Sequence, residues 1–152
     1  MTERRPLSAD LVLVPVDASD ESTDAVAHAA AIAAEYDATV HVVHVLGEDV
    51  VRAIEAGDVD DDEVAADGEA IMETAEAIAA DHDVGLSTSV AYGFSTKMKL
   101  RHPGSVVLDT AEELSADFLV VPREPLSGDP GEVLEKAAEY VLLYASQPVL
   151  SV

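Results

Sequence analysis

The chain has no cysteine and no tryptophan among its 152 residues. A disulfide framework and thiol chemistry are therefore excluded. Aromatic residues amount to only 4%, so the core must be built from Ala, Val, Leu and Ile, a composition suited to helices packed closely on a parallel sheet. Basic residues are scarce as well. Eight Lys and Arg stand against 31 Asp and Glu, for a formal net charge of -23, and nothing in the chain offers the basic footprint of a nucleic-acid surface. After Met1-Thr-Glu-Arg-Arg-Pro6 no apolar run is long enough for a signal peptide or a membrane span, which predicts no membrane insertion and a cytoplasmic location.

What is present fits one domain spanning residues 1–152, with residues 1–9 as an N-terminal tail; a hydrophobic fraction of 49% is enough to bury a core at this length. Charge of this density repels itself. At molar salt the Debye length falls to roughly 3 Å and the repulsion is screened, so the acidity reads as halophilic adaptation to a salt-rich cytoplasm rather than as a surface for one basic partner.

Apolar runs and helical segments alternate along the chain. The segment Asp10 to Val16, apolar from Leu11 onward, is of the kind that forms a central parallel strand buried on both faces, and Ser19 or Asp20 can cap a helix reaching Tyr36. Ala38 to Leu46 predicts a second strand, followed by a long Ala- and Glu-rich helix over Asp61 to Asp81. A third strand is expected over Leu86 to Tyr92, a helix over Gly104 to Leu114, and a strand over Asp117 to Val121. A helix over Pro130 to Ala145 and a last strand over Pro148 to Val152 complete the series. This alternation predicts an α/β, doubly wound, five-stranded parallel sheet with right-handed crossovers and helices on both faces. In such sheets ligands lie beyond the carboxyl ends of the strands, here Pro15-Val16-Asp17-Ala18, Val45-Leu46 and Val121-Pro122.

Val14-Pro-Val-Asp-Ala-Ser19, the Ala-rich helix with His28, His41-Val-Val-His44-Val45, Ala116-Asp-Phe-Leu-Val-Val121 and Pro148-Val-Leu-Ser-Val152 together resemble the universal stress protein family along nearly the whole chain. The resemblance implies the sheet order 3-2-1-4-5 and a homodimer paired through the C-terminal strand. It also implies a nucleotide site for ATP or AMP, with Pro15, Val16, Asp17 and Ala18 at base and ribose and Val45 beside the adenine. The family's phosphate loop, G-x-x-G-x9-G-[ST], does not carry over. Its glycine positions fall on Pro122, Pro125 and Glu135, with Lys136 at the hydroxyl position. Glycine lets backbone N–H groups approach phosphate at unusual φ, whereas proline has no N–H and a fixed φ. The acidic residues Glu124, Asp129, Glu132 and Glu135 would further repel a polyphosphate at the following helix N-terminus. Gly128 and Gly131 do not form a shifted loop, because a position ten residues on is Val141, deep in the predicted helix.

Other constellations rank lower. Asp58-x-Asp60-x-Asp62 with Glu69 imitates a calcium loop, but Glu63 stands where the sharp turn needs Gly. His41 and His44, three apart in a strand, point to opposite faces and cannot readily share a metal. His28, His82 and His102 are isolated. No G-x-S-x-G elbow exposes a serine nucleophile for a triad with Asp17 or Ser19. The segment Phe94 to His102 concentrates Lys97, Lys99 and Arg101, three of the eight basic residues. Its partner is expected to be the acidic helix, a second protomer, or an anionic ligand or acidic protein. The reading that follows is a non-enzymatic, dimeric stress-response module without tight ATP binding. Its rivals are an ATP- or AMP-binding regulator and a nucleotide hydrolase of the same α/β superfamily.

Overall fold

A computed structural model describes residues 8–17, 20–46, 56–57, 61–92, 103–122 and 140–152. Five strands, β1 (Leu11–Val16), β2 (Thr39–Leu46), β3 (Leu86–Tyr92), β4 (Phe118–Val121) and β5 (Val149–Ser151), form one sheet in the order β3-β2-β1-β4-β5. Every adjacent pair is parallel. The helices α1 (Asp20–Tyr36), α2 (Asp61–Asp81) and α3 (Pro103–Leu114) lie between strands, and residues 140–144 are helical as well.

The central strands β2, β1 and β4 are buried from both sides, and the alternation of side chains sorts their residues between two cores. Val12, Val14, Val16, Val40, Val42 and Val120 pack under α1 and α2, where Ala25, Val26, Ala29 and Ala33 recur at helical spacing and Ala75 joins them. Leu13, Val43, Val45, Leu119 and Val121 face the other way, against Val107 and Ala111 of α3 and Val141. Small alanines on the helices and β-branched valines on the strands fit each other closely, which is how a core with so few aromatics fills its volume.

Several boundaries differ from the sequence expectation by a residue or so, each for a local reason. Asp10 stays outside β1 because its amide donates to the Asp117 carboxylate (2.9 and 3.1 Å). Asp117 itself precedes β4, its carboxylate also accepting from the Leu11 amide (3.2 Å). Ala38 closes the preceding helix, donating to the Ala33 carbonyl (2.8 Å). The helix expected from Gly104 begins at Pro103, whose fixed φ suits a first helical position. Pro148 has no N–H to give the ladder and precedes β5, although its carbonyl accepts from Leu119 (3.0 Å). Val152 lies past the strand but still donates to the Val121 carbonyl (3.0 Å).

Each of the three longer helices ends in the same way. Asp37 (φ 56°), Asp83 (φ 56°) and Ser115 (φ 57°) take left-handed conformations. The next residue then reaches back five positions, Ala38 to Ala33, Val84 to Ala79 (3.0 Å) and Ala116 to Ala111 (2.8 Å). That is the Schellman arrangement, which satisfies carbonyls left open at a helix end.

Candidate functional site at the carboxyl edge of the sheet

The carboxyl ends of β1, β2 and β4 converge at the centre of the sheet, where a ligand cleft is expected in an open α/β fold. Pro15, Val16 and Asp17 are all buried. Asp17 follows β1 directly, and Ser22, in the first turns of α1, closes a ring with it. The Asp17 amide donates to Ser22 Oγ (2.9 Å), and that hydroxyl donates to Asp17 Oδ1 (3.0 Å). Both residues are almost fully enclosed, at 6% and 2% exposure. The sequence offered a signal for this pairing in a carboxylate at a strand end followed five residues later by a hydroxyl inside the helix. Ser19 and Asp20, nearer the helix start, compete for the capping role and obscure that signal.

Asp17 and Ser22 turn toward α2 and border a cavity of about 10 Å³ whose walls include Thr23, Ile71 and Thr74. That volume suits at most one water molecule. Val45 is 2% exposed and belongs to the core beneath α3. At the end of β4, Pro122 is buried in the first of the three glycine positions of the expected phosphate loop. Ala18, Ser19, Pro125, Glu135 and Lys136 lie outside the described residues, as do Lys97, Lys99, Arg101 and His102.

The histidines of β2 point to opposite faces, as expected. His41 lies against β3, with Nδ1 2.6 Å from Ser87 Oγ and Nε2 2.8 Å from Ser89 Oγ. Burial pushes its pKa below the ordinary 6.5. A hydroxyl can donate or accept, so the two serines satisfy either neutral tautomer. Sequence inspection missed this clasp because Ser87 and Ser89 become its partners only once His41 is set in register with Ser87. His44, also buried, looks toward α2, where Gly68 leaves it room: a Cβ at that position would stand 3.2 Å from His44 Nδ1. His28 Nδ1 lies 2.7 Å from the Asp24 carbonyl and His82 Nδ1 2.9 Å from that of Ile78, so both are engaged with their own helices. Among the described residues no group of three or more His, Asp or Glu side chains could hold a metal ion. Asp62, part of the apparent calcium loop, lies in the first turn of α2. No helix among the described residues is long and apolar enough to cross a membrane.

The sheet order and the β1 turn ending in Asp17 coincide with a family match over residues 9–152. The chain belongs to the universal stress protein family. Solved structures agree on the fold. Universal stress protein UspA from Lactobacillus plantarum superposes with a TM-score of 0.73 at 20% identity, over 96% of this chain and 99% of that one. A universal stress protein in complex with cAMP gives 0.64 at 24% identity, over 96% and 98%. The Archaeoglobus fulgidus universal stress protein in complex with dAMP gives 0.62 at 20% identity, over 93% and 95%. No curated protein matches the chain.

Proposed function

We propose that this protein is a non-enzymatic, cytoplasmic stress-response module of the universal stress protein family, salt-adapted and homodimeric, with a carboxyl-edge cleft that binds adenine nucleotides weakly. The observation that carries the reading is Pro122, buried directly after β4. A phosphate loop works by aiming backbone N–H groups at the anion, and at its first position this chain has no N–H to aim.

Dimerisation through the C-terminal strand rests on what surrounds β5. The strand is an edge of the sheet. Just before it in the chain, Leu142, Leu143 and Tyr144 are 52%, 75% and 65% exposed. Apolar groups beside an open edge favour strand pairing between two copies.

A second reading, a nucleotide-binding regulator, draws support from the cAMP and dAMP complexes of proteins that share the fold. Calorimetry with ATP and AMP in molar KCl separates the two. Dissociation constants weaker than roughly 100 μM, less than about 5.5 kcal/mol of binding free energy, are expected. A low-micromolar constant that disappears on Asp17→Ala would replace the proposal with the regulator. Release of phosphate that depends on Asp17 would replace it with a hydrolase.

A further inference from the structure

Both ring nitrogens of His41 lie within hydrogen-bond distance of a serine hydroxyl on β3, Nδ1 at 2.6 Å from Ser87 Oγ and Nε2 at 2.8 Å from Ser89 Oγ. A neutral imidazole has one N–H and one lone pair. One hydroxyl therefore donates to the ring and the other accepts from it, whichever tautomer is present. Exposure decides which hydroxyl can react: Ser87 is exposed, whereas Ser89 is partly buried. With Nε2–H donating to Ser89, the Nδ1 lone pair receives the Ser87 proton. Nucleophile, base and orienting group are then all in hydrogen-bond reach, the arrangement that activates a hydroxyl. The ring is also in the right charge state. His41 stands opposite the fully buried Leu13 of β1, and burial holds its pKa below 6.5, so at neutral pH the lone pair is available.

The same geometry limits what Ser87 can attack. The group behind the ring is a hydroxyl, so the imidazolium formed during attack is less stabilised than beside the carboxylate of a Ser-His-Asp triad. Only a donor with a good leaving group then reacts. Ser87 lies inside a strand rather than on a sharp strand-to-helix turn, and the cavity beside Asp17 does not reach it. It meets donors on an open surface, which favours small ones. A net charge of -23 disfavours anionic donors. The class that remains is a small, uncharged, activated acyl ester. Hydrolysis of the product would need a water molecule activated by the same ring, which is only 5% exposed. The acyl group therefore stays on the serine, a stoichiometric modification compatible with a non-enzymatic module.

We propose that Ser87 is a covalent acyl-acceptor site, its hydroxyl activated by His41 and the ring held in place by Ser89. Ser87 Oγ bonds to the donor's carbonyl carbon while its proton passes to His41 Nδ1. The bond from that carbon to the leaving group breaks, the leaving group keeps the electron pair and takes up the proton, and the ring ends neutral. The full chain in molar KCl at neutral pH is treated with p-nitrophenyl acetate, acetyl groups are located by peptide mass spectrometry, and thermal melts check that each variant is folded. In the wild type, Ser87 is expected to acetylate about 100-fold faster than Ser146, the lower end of what a positioned base contributes. Ser146 is an exposed serine whose hydroxyl donates to the Gln147 side chain instead (3.4 Å). Ser87→Ala should remove the fast acetylation, and His41→Gln should bring the Ser87 rate down to that of Ser146. Ser89→Ala should cause a partial loss that Ser89→Thr, which keeps the hydroxyl, restores. Equal rates at Ser87 and Ser146 in the wild type overturn the proposal, a comparison that needs no variant to fold. Fast acetylation at Ser89 in place of Ser87, or an unchanged Ser87 rate in folded His41→Gln, also overturns it.

Discussion

Replacing Ser22 by Ala removes one oxygen from a place where two groups depend on it. The Asp17 amide loses its acceptor at 2.9 Å and Asp17 Oδ1 loses its donor at 3.0 Å, both at 6% exposure or less. A buried amide left without a partner costs about 1–3 kcal/mol, and a hydrogen bond to a charged group contributes about 1.5–3 kcal/mol. The two losses share one atom and do not simply add. The adjoining cavity of about 10 Å³ also lets a water molecule recover part of the bonding once the hydroxyl has gone. A net loss of about 3 kcal/mol follows, which for a chain of this length lowers Tm by roughly 6–12 °C. Scanning calorimetry of wild type, Ser22→Ala, Asp17→Ala and the double variant in molar KCl measures both the loss and the coupling, expected at about 1–2 kcal/mol. A melt within about 2 °C of wild type for Ser22→Ala, or additive single effects, would refute the reasoning.

The remaining expectations concern charge and packing. Because burial holds the His41 pKa below 6.5, the unfolded chain takes up that proton first; the contribution is complete above pH 6.5 and is lost as pH falls through the folded-state pKa. Urea melts between neutral and mildly acidic pH should show this loss, and His41→Gln should flatten it. Gly68→Ala gains about 1 kcal/mol of helix propensity but presses a methyl to 3.2 Å from the buried His44 ring, where overpacking costs about 1–3 kcal/mol. Chemical denaturation should show a net loss, and a stabilised variant would mean that the ring yields. With net charge -23, Tm should rise along a KCl series as the Debye length contracts from roughly 10 to 3 Å between 0.1 and 1 M. A salt-independent Tm would remove the halophilic reading.

The architecture was legible because its signals are local. Leu11-Val-Leu-Val-Pro-Val16 is apolar at every position, as a strand covered on both faces must be, and Val12 to Val16 are indeed all buried. The opposed directions of His41 and His44 follow from strand periodicity alone. What escaped the sequence depends on contacts between distant segments. The His41 clasp needs the β2–β3 register, and the space for His44 needs α2 to cross β2 at Gly68. Asp17 was placed at the end of β1 from its position, yet its bond to Ser22 was hidden by two nearer capping residues.

The three left-handed turns at Asp37, Asp83 and Ser115 bear on how the sheet is assembled. Each is followed two or three residues later by the first residue of a strand, at Thr39, Leu86 and Phe118. Because strand side chains alternate, slipping by one residue would exchange a strand's two faces completely. The back-bonded amides of Ala38, Val84 and Ala116 fix where each helix stops, using only residues within five positions of one another. The phase of β2, β3 and β4 can therefore be set while each strand is still searching for its neighbour. Docking then has fewer misaligned arrangements to reject, an advantage for a parallel topology whose strand contacts are all distant in sequence.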